Sequence, residues 1–129
     1  GVGISGAIYD YDGNVYVADE ARMMARFKNY YFLLGNVHKN THQEMFNGKL
    51  LHSVLEKSCT ECLPGCSKCV FQPYCGADPV RNMSEQGDVV GFRPTNEMCK
   101  KTKAIIRYLF DLLREGDKET ERILWSWIR

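Results

Sequence analysis

The chain has 129 residues and a net charge of +1, with 17 Lys and Arg against 16 Asp and Glu scattered along it. That balance excludes a basic stripe for nucleic acid, and no apolar run approaches the roughly 20 residues of a membrane-spanning helix. The length suits a single domain over 1–129, large enough for a modest core and small enough to gain from a metal staple. No secretory signal peptide is legible, which points to a cytoplasmic protein. The opening Gly1-Val2-Gly3 has no initiating Met and reads as the start of a piece of something longer.

Residues 3 to 18 read as a β-hairpin. Ile4, Ala7, Ile8 and Tyr9 lead into Asp12-Gly13, and Val15, Tyr16 and Val17 lead out, with Gly13 free to take the positive φ of a tight primed turn. Asp10 and Asp12 are turn residues on this reading, since a calcium loop would need glycine where Val15 stands. Asp19 is placed to cap a short helix from Glu20 to Phe27, with Ala21, Met24 and Ala25 on one side. The apolar run from Tyr30 to Leu34 predicts a short buried strand that stops at Gly35-Asn36. Thr41-His42-Gln43-Glu44 has the capping-box pattern, so a helix should start there and carry Met45 and Phe46 inward. Asn47-Gly48 interrupts it, and Lys49 to Lys57 presents Leu51, Val54 and Leu55 at helical spacing.

Farther on, Asp78 reads as a turn residue, and Arg81 to Pro94 has no clear period and reads as exposed loop. Thr95 is a candidate cap for a long helix ending at Glu115-Gly116, with Ile105, Leu109, Leu112 and Leu113 on one face and Cys99 in its first turn. Asp117 can cap a last helix carrying Ile123, Leu124, Trp127 and Ile128. Both C-terminal helices read as core packing. The sum is an α+β fold: an N-terminal β-hairpin, a cysteine-rich metal-binding loop region and C-terminal helices.

Five of the six cysteines fall between Cys59 and Cys75, and the sixth is Cys99. Disulfides in so short a window would close very small loops and hold little of the fold together, so a disulfide-linked secreted domain is the weaker reading. The spacing favours metal. Cys66-x2-Cys69 shares a turn, Cys75 returns after a short aromatic loop, and Cys99 arrives at a helix start, where the dipole favours thiolate. Four sulfurs suit one iron-sulfur cluster or zinc, and spacing alone does not choose. Cys59 and Cys62 stay open as free thiols, a local pair or additional ligands of a second site. Cys62-x3-Cys66-x2-Cys69 spells the signature of a catalytic radical SAM cluster. That signature belongs after the first strand of a partial α/β barrel, whereas loop and helices follow here. His38, His42 and His52 have no partner at ligand spacing and read as surface. With no nucleophile elbow and no phosphate-cradling glycine loop, no catalytic residue is assigned.

The order of these features resembles the SPASM domain, the C-terminal auxiliary-cluster domain of radical SAM enzymes that modify ribosomally made peptides and proteins. The likeness runs over nearly the whole chain: Asp12-Gly13-Asn14-Val15-Tyr16, then Leu34-Gly35-Asn36-Val37, then helices, then Cys66-x2-Cys69-x5-Cys75 and the late Cys99. Residues 69 to 79, Cys-Val-Phe-Gln-Pro-Tyr-Cys-Gly-Ala-Asp-Pro, look most like the radical SAM maturase of the His-Xaa-Ser peptide system. The resemblance implies one auxiliary 4Fe-4S cluster on Cys66, Cys69, Cys75 and Cys99. The family's other auxiliary cluster does not match, because Ala18 and Pro79 stand where two of its cysteines would fall. The resemblance also implies that S-adenosylmethionine belongs to a catalytic barrel upstream, that this barrel and a substrate peptide are the partners, and that this chain by itself is catalytically inert. The competing function is a stand-alone zinc-stabilised protein-interaction module.

Overall fold

The computed structural model of the chain describes residues 2–128, and these form an α+β fold with a three-stranded antiparallel sheet and six α-helices. Strands β1 (Ile8–Tyr9), β2 (Asn14–Tyr16) and β3 (Leu33–Asn36) lie in that order across the sheet. The hairpin pairs Ile8 with Tyr16 and Tyr9 with Val15. Its turn is wider than a two-residue primed turn. The Gly13 N–H donates to the Asp10 carbonyl at 3.0 Å, and Gly13 takes the left-handed conformation at φ 83°. The Asp12 carboxylate accepts from the Asn14 N–H at 2.9 Å, an Asx-turn that competes with the tighter pairing.

The central strand carries no in-out alternation. Val15, Tyr16 and the following Val17 are all buried, because β2 is paired on both sides and bulged between Val15 and Tyr16. Strand β3 starts later than the apolar run predicts and includes Gly35-Asn36 instead of stopping there. The Asn36 side-chain amide holds that end, donating to the Asp12 carbonyl at 3.0 Å and to Asn14 Oδ1 at 2.9 Å.

Helix α1 (Asp19–Arg26) is entered through Ala18, and Asp19 is its first residue, paired with Arg22 at 2.7 Å, not its cap. Helix α2 (His42–Phe46) has the predicted capping box: Thr41 Oγ1 accepts from the Glu44 N–H at 3.2 Å and Glu44 Oε2 accepts from the Thr41 N–H at 2.8 Å. Helix α3 (Lys49–Glu56) follows after Asn47-Gly48 and buries Leu51 and Val54. With Tyr16, Val17, Ala21, Phe32, Val80 and Val89 these residues make the hydrophobic core.

The segment read as an exposed loop holds a helix instead. Helix α4 (Pro79–Gln86) starts at Asp78, whose carboxylate accepts from the Arg81 N–H at 3.0 Å, and Pro79 takes the first helical position, where no N–H is needed. Its buried face is only Val80, Asn82 and Pro79, too short a stripe to register as a period. Asn82 is 2 % exposed. Its amide donates to the carbonyls of Val89 at 3.2 Å and Val90 at 2.9 Å, and its Oδ1 accepts from Asn96 Nδ2 at 3.2 Å.

Asn96, not Thr95, caps helix α5 (Glu97–Glu115), accepting from the Met98 N–H at 2.7 Å. Helix α6 (Lys118–Ser126) is capped by Asp117 as the sequence predicts, through the Thr120 N–H at 2.9 Å. The expectation that these two helices pack into the core fails. On α5 only Cys99 and Ile106 are buried, Ile105 and Leu113 are 51 % and 48 % exposed, and α6 buries nothing. The core of the N-terminal half is already closed by α1, α3 and α4, so α5 meets the body along the stripe Cys99, Lys103, Ile106 that lines the cysteine region.

Replacing Asn82 with Ala leaves the buried Val89 carbonyl, the partly buried Val90 carbonyl and the Asn96 amide without these partners. Urea unfolding of Asn82→Ala should show a loss of roughly 2–4 kcal/mol. An unchanged midpoint would show that the network contributes nothing.

Candidate metal centre

From Cys59 to Cys75 the backbone runs as a string of short turns. The N–H of Cys62 donates to the Cys59 carbonyl at 3.0 Å, Cys66 to Leu63 at 3.0 Å, Cys69 to Cys66 at 2.9 Å, Gln72 to Cys69 at 3.0 Å and Cys75 to Gln72 at 3.1 Å. A backbone that turns every three residues returns positions 66, 69, 72 and 75 to one side, so the x2 and x5 spacings amount to one and two such steps. Gln72 occupies the intervening step and spends its side chain on Thr60, donating to Oγ1 at 3.0 Å. Gly65 enters this run at φ 74°, and a Cβ on it would lie 2.5 Å from Pro94 Cγ. Only glycine lets the cysteine loop close on the segment that precedes α5.

The structure brings Cys66, Cys69, Cys75 and Cys99 to the wall of one cavity, with Phe71, Gln72, Arg93, Lys103 and Ile106 among the other lining residues. The space enclosed between these side chains is small, about 20 Å³, enough for a water. Cys99 is buried in the first turn of α5, and the other three are partly buried.

Arg93 is the residue that the sequence reading missed. It is 3 % exposed, its Nη2 reaches Cys75 Sγ at 3.6 Å, and its Nη1 donates to the Gly76 carbonyl. Among the described residues no carboxylate pairs with it. A buried guanidinium is costly without compensating charge, and the cavity thiols are the groups that can supply it. Burial pushes the Cys66 thiol above its ordinary value; Arg93 pulls the other way, and Cys99, Cys75 and Cys69 then add to the rise. The Cys66 thiol therefore feels the charge of the other three.

Sharing a cavity is different from gripping one ion. Among the described residues no three Cys, His, Asp or Glu side chains are grouped closely enough to hold a metal ion as they stand. Tetrahedral zinc with bonds of about 2.3 Å needs sulfur pairs about 3.8 Å apart. In a cluster each thiolate binds a different iron, which calls for a wider set of donors around one space.

Cys59 and Cys62 lie outside this wall. Their sulfurs are 3.7 Å apart, and the Cys59 thiol donates to Glu61 Oε2 at 3.2 Å. The Glu61 carboxylate, then Cys62, hold the Cys59 thiol above its ordinary value. His38, His42 and His52 are exposed, with His42 stacked on Phe46 at 4.5 Å. Ala18 and Pro79 serve helix starts, at α1 and α4. Comparison of the chain with protein-family models, curated proteins and solved structures finds no match.

Arg93 favours the Cys66 thiolate, so Arg93→Met should raise that thiol further. In the metal-free chain, iodoacetamide labelling of Cys66 at pH 8 should slow several-fold, with the difference closing at high pH. Equal labelling rates would remove Arg93 from the electrostatics of the site. Because burial raises the folded-state value, the stability contributed by the neutral Cys66 is fully present below the ordinary 9.0 and is lost as pH climbs above it. Thermal melts of the metal-free chain should therefore fall more steeply above pH 9 than those of Cys66→Ala.

Proposed function

We propose that the chain is an auxiliary-cluster domain of a radical SAM enzyme that modifies a ribosomally made peptide, and that it holds one 4Fe-4S cluster through Cys66, Cys69, Cys75 and Cys99. The observation that carries this reading is the cavity: four cysteines from two separate segments line it, beside a buried arginine that lacks a carboxylate partner among the described residues. The donor set is chemically suited, being all thiol, with the fourth member at a helix N-terminus that stabilises negative charge. The enzyme class comes from the resemblance of residues 69 to 79 and of the hairpin to the SPASM pattern.

When bound, the cluster supplies a one-electron relay. The chain's own residues hold and insulate it. Arg93 would offset thiolate charge at Cys75, Phe71 and Ile106 provide apolar wall that limits water, and the turns ending at Cys66, Cys69 and Cys75 keep three of the thiols on one wall of the cavity. With all four thiolates as ligands no iron position would stay open, so the substrate peptide would meet the domain's surface and not the metal. The role that follows is electron transfer, shaping of the substrate channel, or both, with S-adenosylmethionine cleaved in the upstream barrel. Reduced thiols of this kind suit the cytoplasm, and no helix among the described residues is long and apolar enough to cross a membrane.

Anaerobic reconstitution with ferrous iron and sulfide should give a brown protein with roughly four iron and four labile sulfide per chain. Cys75→Ala and Cys99→Ala should each lose most of that iron, while Cys62→Ala keeps it. A colourless protein carrying one zinc per chain would overturn the proposal in favour of a zinc-stabilised interaction module.

A further inference from the structure

The thiols of Cys59 and Cys62 are close to each other, lie apart from the four-cysteine cavity and have a carboxylate at hand. Their turn is closed by the Cys62 N–H on the Cys59 carbonyl at 3.0 Å, which keeps the two Cα atoms within about 7 Å, inside the range that a disulfide spans. The sulfurs stand at 3.7 Å, so side-chain rotation alone can bring them to the roughly 2.05 Å of a bond. Cys62 is exposed and Cys59 is partly buried, with its S–H on Glu61 Oε2 at 3.2 Å. Thr60, between the two, is 8 % exposed and bonded to Gln72, and both residues line the cavity.

We propose that Cys59-Thr60-Glu61-Cys62 is a thiol-disulfide exchange site, which a low-molecular-weight disulfide such as oxidised glutathione converts to an internal bridge. The accessible Cys62 thiolate attacks one sulfur of the incoming disulfide. That S–S bond breaks, one thiolate leaves, and a mixed disulfide forms on Cys62. Cys59, its proton lost to solvent, then attacks Cys62 Sγ, and the second thiolate departs. Two electrons and two protons leave the cysteine pair, and one small disulfide becomes two thiols. The order of attack follows from the geometry, because the exposed sulfur is the one that a solute reaches and the carboxylate sits on the other. The site works whatever the neighbouring cavity binds, because neither sulfur lies on the cavity wall.

The test equilibrates the full chain, purified anaerobically, in glutathione buffers of graded oxidation, then quenches it in acid and alkylates the free thiols. Cleavage after Lys57, Glu61 and Lys68 separates the fragments 58–61 and 62–68, which stay joined only through a disulfide. The joined pair should accumulate along a single two-electron curve, with the alkyl label on Cys66. Cys59→Ser should trap one glutathione on Cys62, whereas Cys62→Ser should take it up several-fold more slowly at Cys59. Glu61→Gln, which removes the carboxylate that holds the Cys59 thiol above its ordinary value, should speed bridge closure several-fold at neutral pH. Separate alkylation of Cys59 and Cys62 at every ratio, a bridge from either to Cys66, or protection of both until a chelator is added would each overturn the proposal.

Discussion

Asn82 donates to the carbonyls of Val89 and Val90 and accepts from Asn96, and Asn96 in turn caps α5. That buried pair ties α4, the returning segment and the start of the long helix into one unit. Its consequence lies three residues farther on. Cys99 is delivered to the cavity opposite Cys66, Cys69 and Cys75, although more than 20 residues of chain separate it from Cys75. Buried amides of this kind are costly when unpaired, and Asn82 has a partner for each hydrogen and for its oxygen, so alternative placements of α5 lose several hydrogen bonds together.

Charge completes what the amides position. A guanidinium that is 3 % exposed would be costly in an apolar wall, and Arg93 avoids that cost by facing a thiol and a carbonyl. Arg93 also opposes the rise that burial imposes on the Cys66 thiol. The short turns from Cys59 to Cys75 act at a different level, because their backbone bonds bring Cys66, Cys69 and Cys75 to one cavity wall. The Cys59-Cys62 pair is built by the first of those turns and differs from the others only in facing away from the cavity and toward Glu61.

Helix α6, past Gly116, and the outer face of α5 tell a different story. Ile105, Leu113, Ile123, Trp127 and Ile128 are all exposed, though the sequence pattern reads them as buried faces. Periodicity reports that a helix has an apolar face, and it does not report whether the body has room for that face. Here the core was closed by α1, α3 and α4. The opposite error occurred at α4, where a short helix hid in a polar stretch although Asp78-Pro79 is a strong start signal.

What the sequence determined by itself was local. The capping box at Thr41, the Asp117 cap, the left-handed Gly116, the hairpin around Asp12-Gly13 and the cysteine spacings are all decided by neighbouring atoms, and each was legible residue by residue. The tertiary structure alone decided which face of α5 is covered, that Asn96 takes the cap from Thr95, and that Arg93 is buried beside Cys75. The physical reason is distance along the chain. Burial and long-range hydrogen bonds depend on surfaces contributed by segments far apart in sequence, so no window of residues contains the partners that settle them.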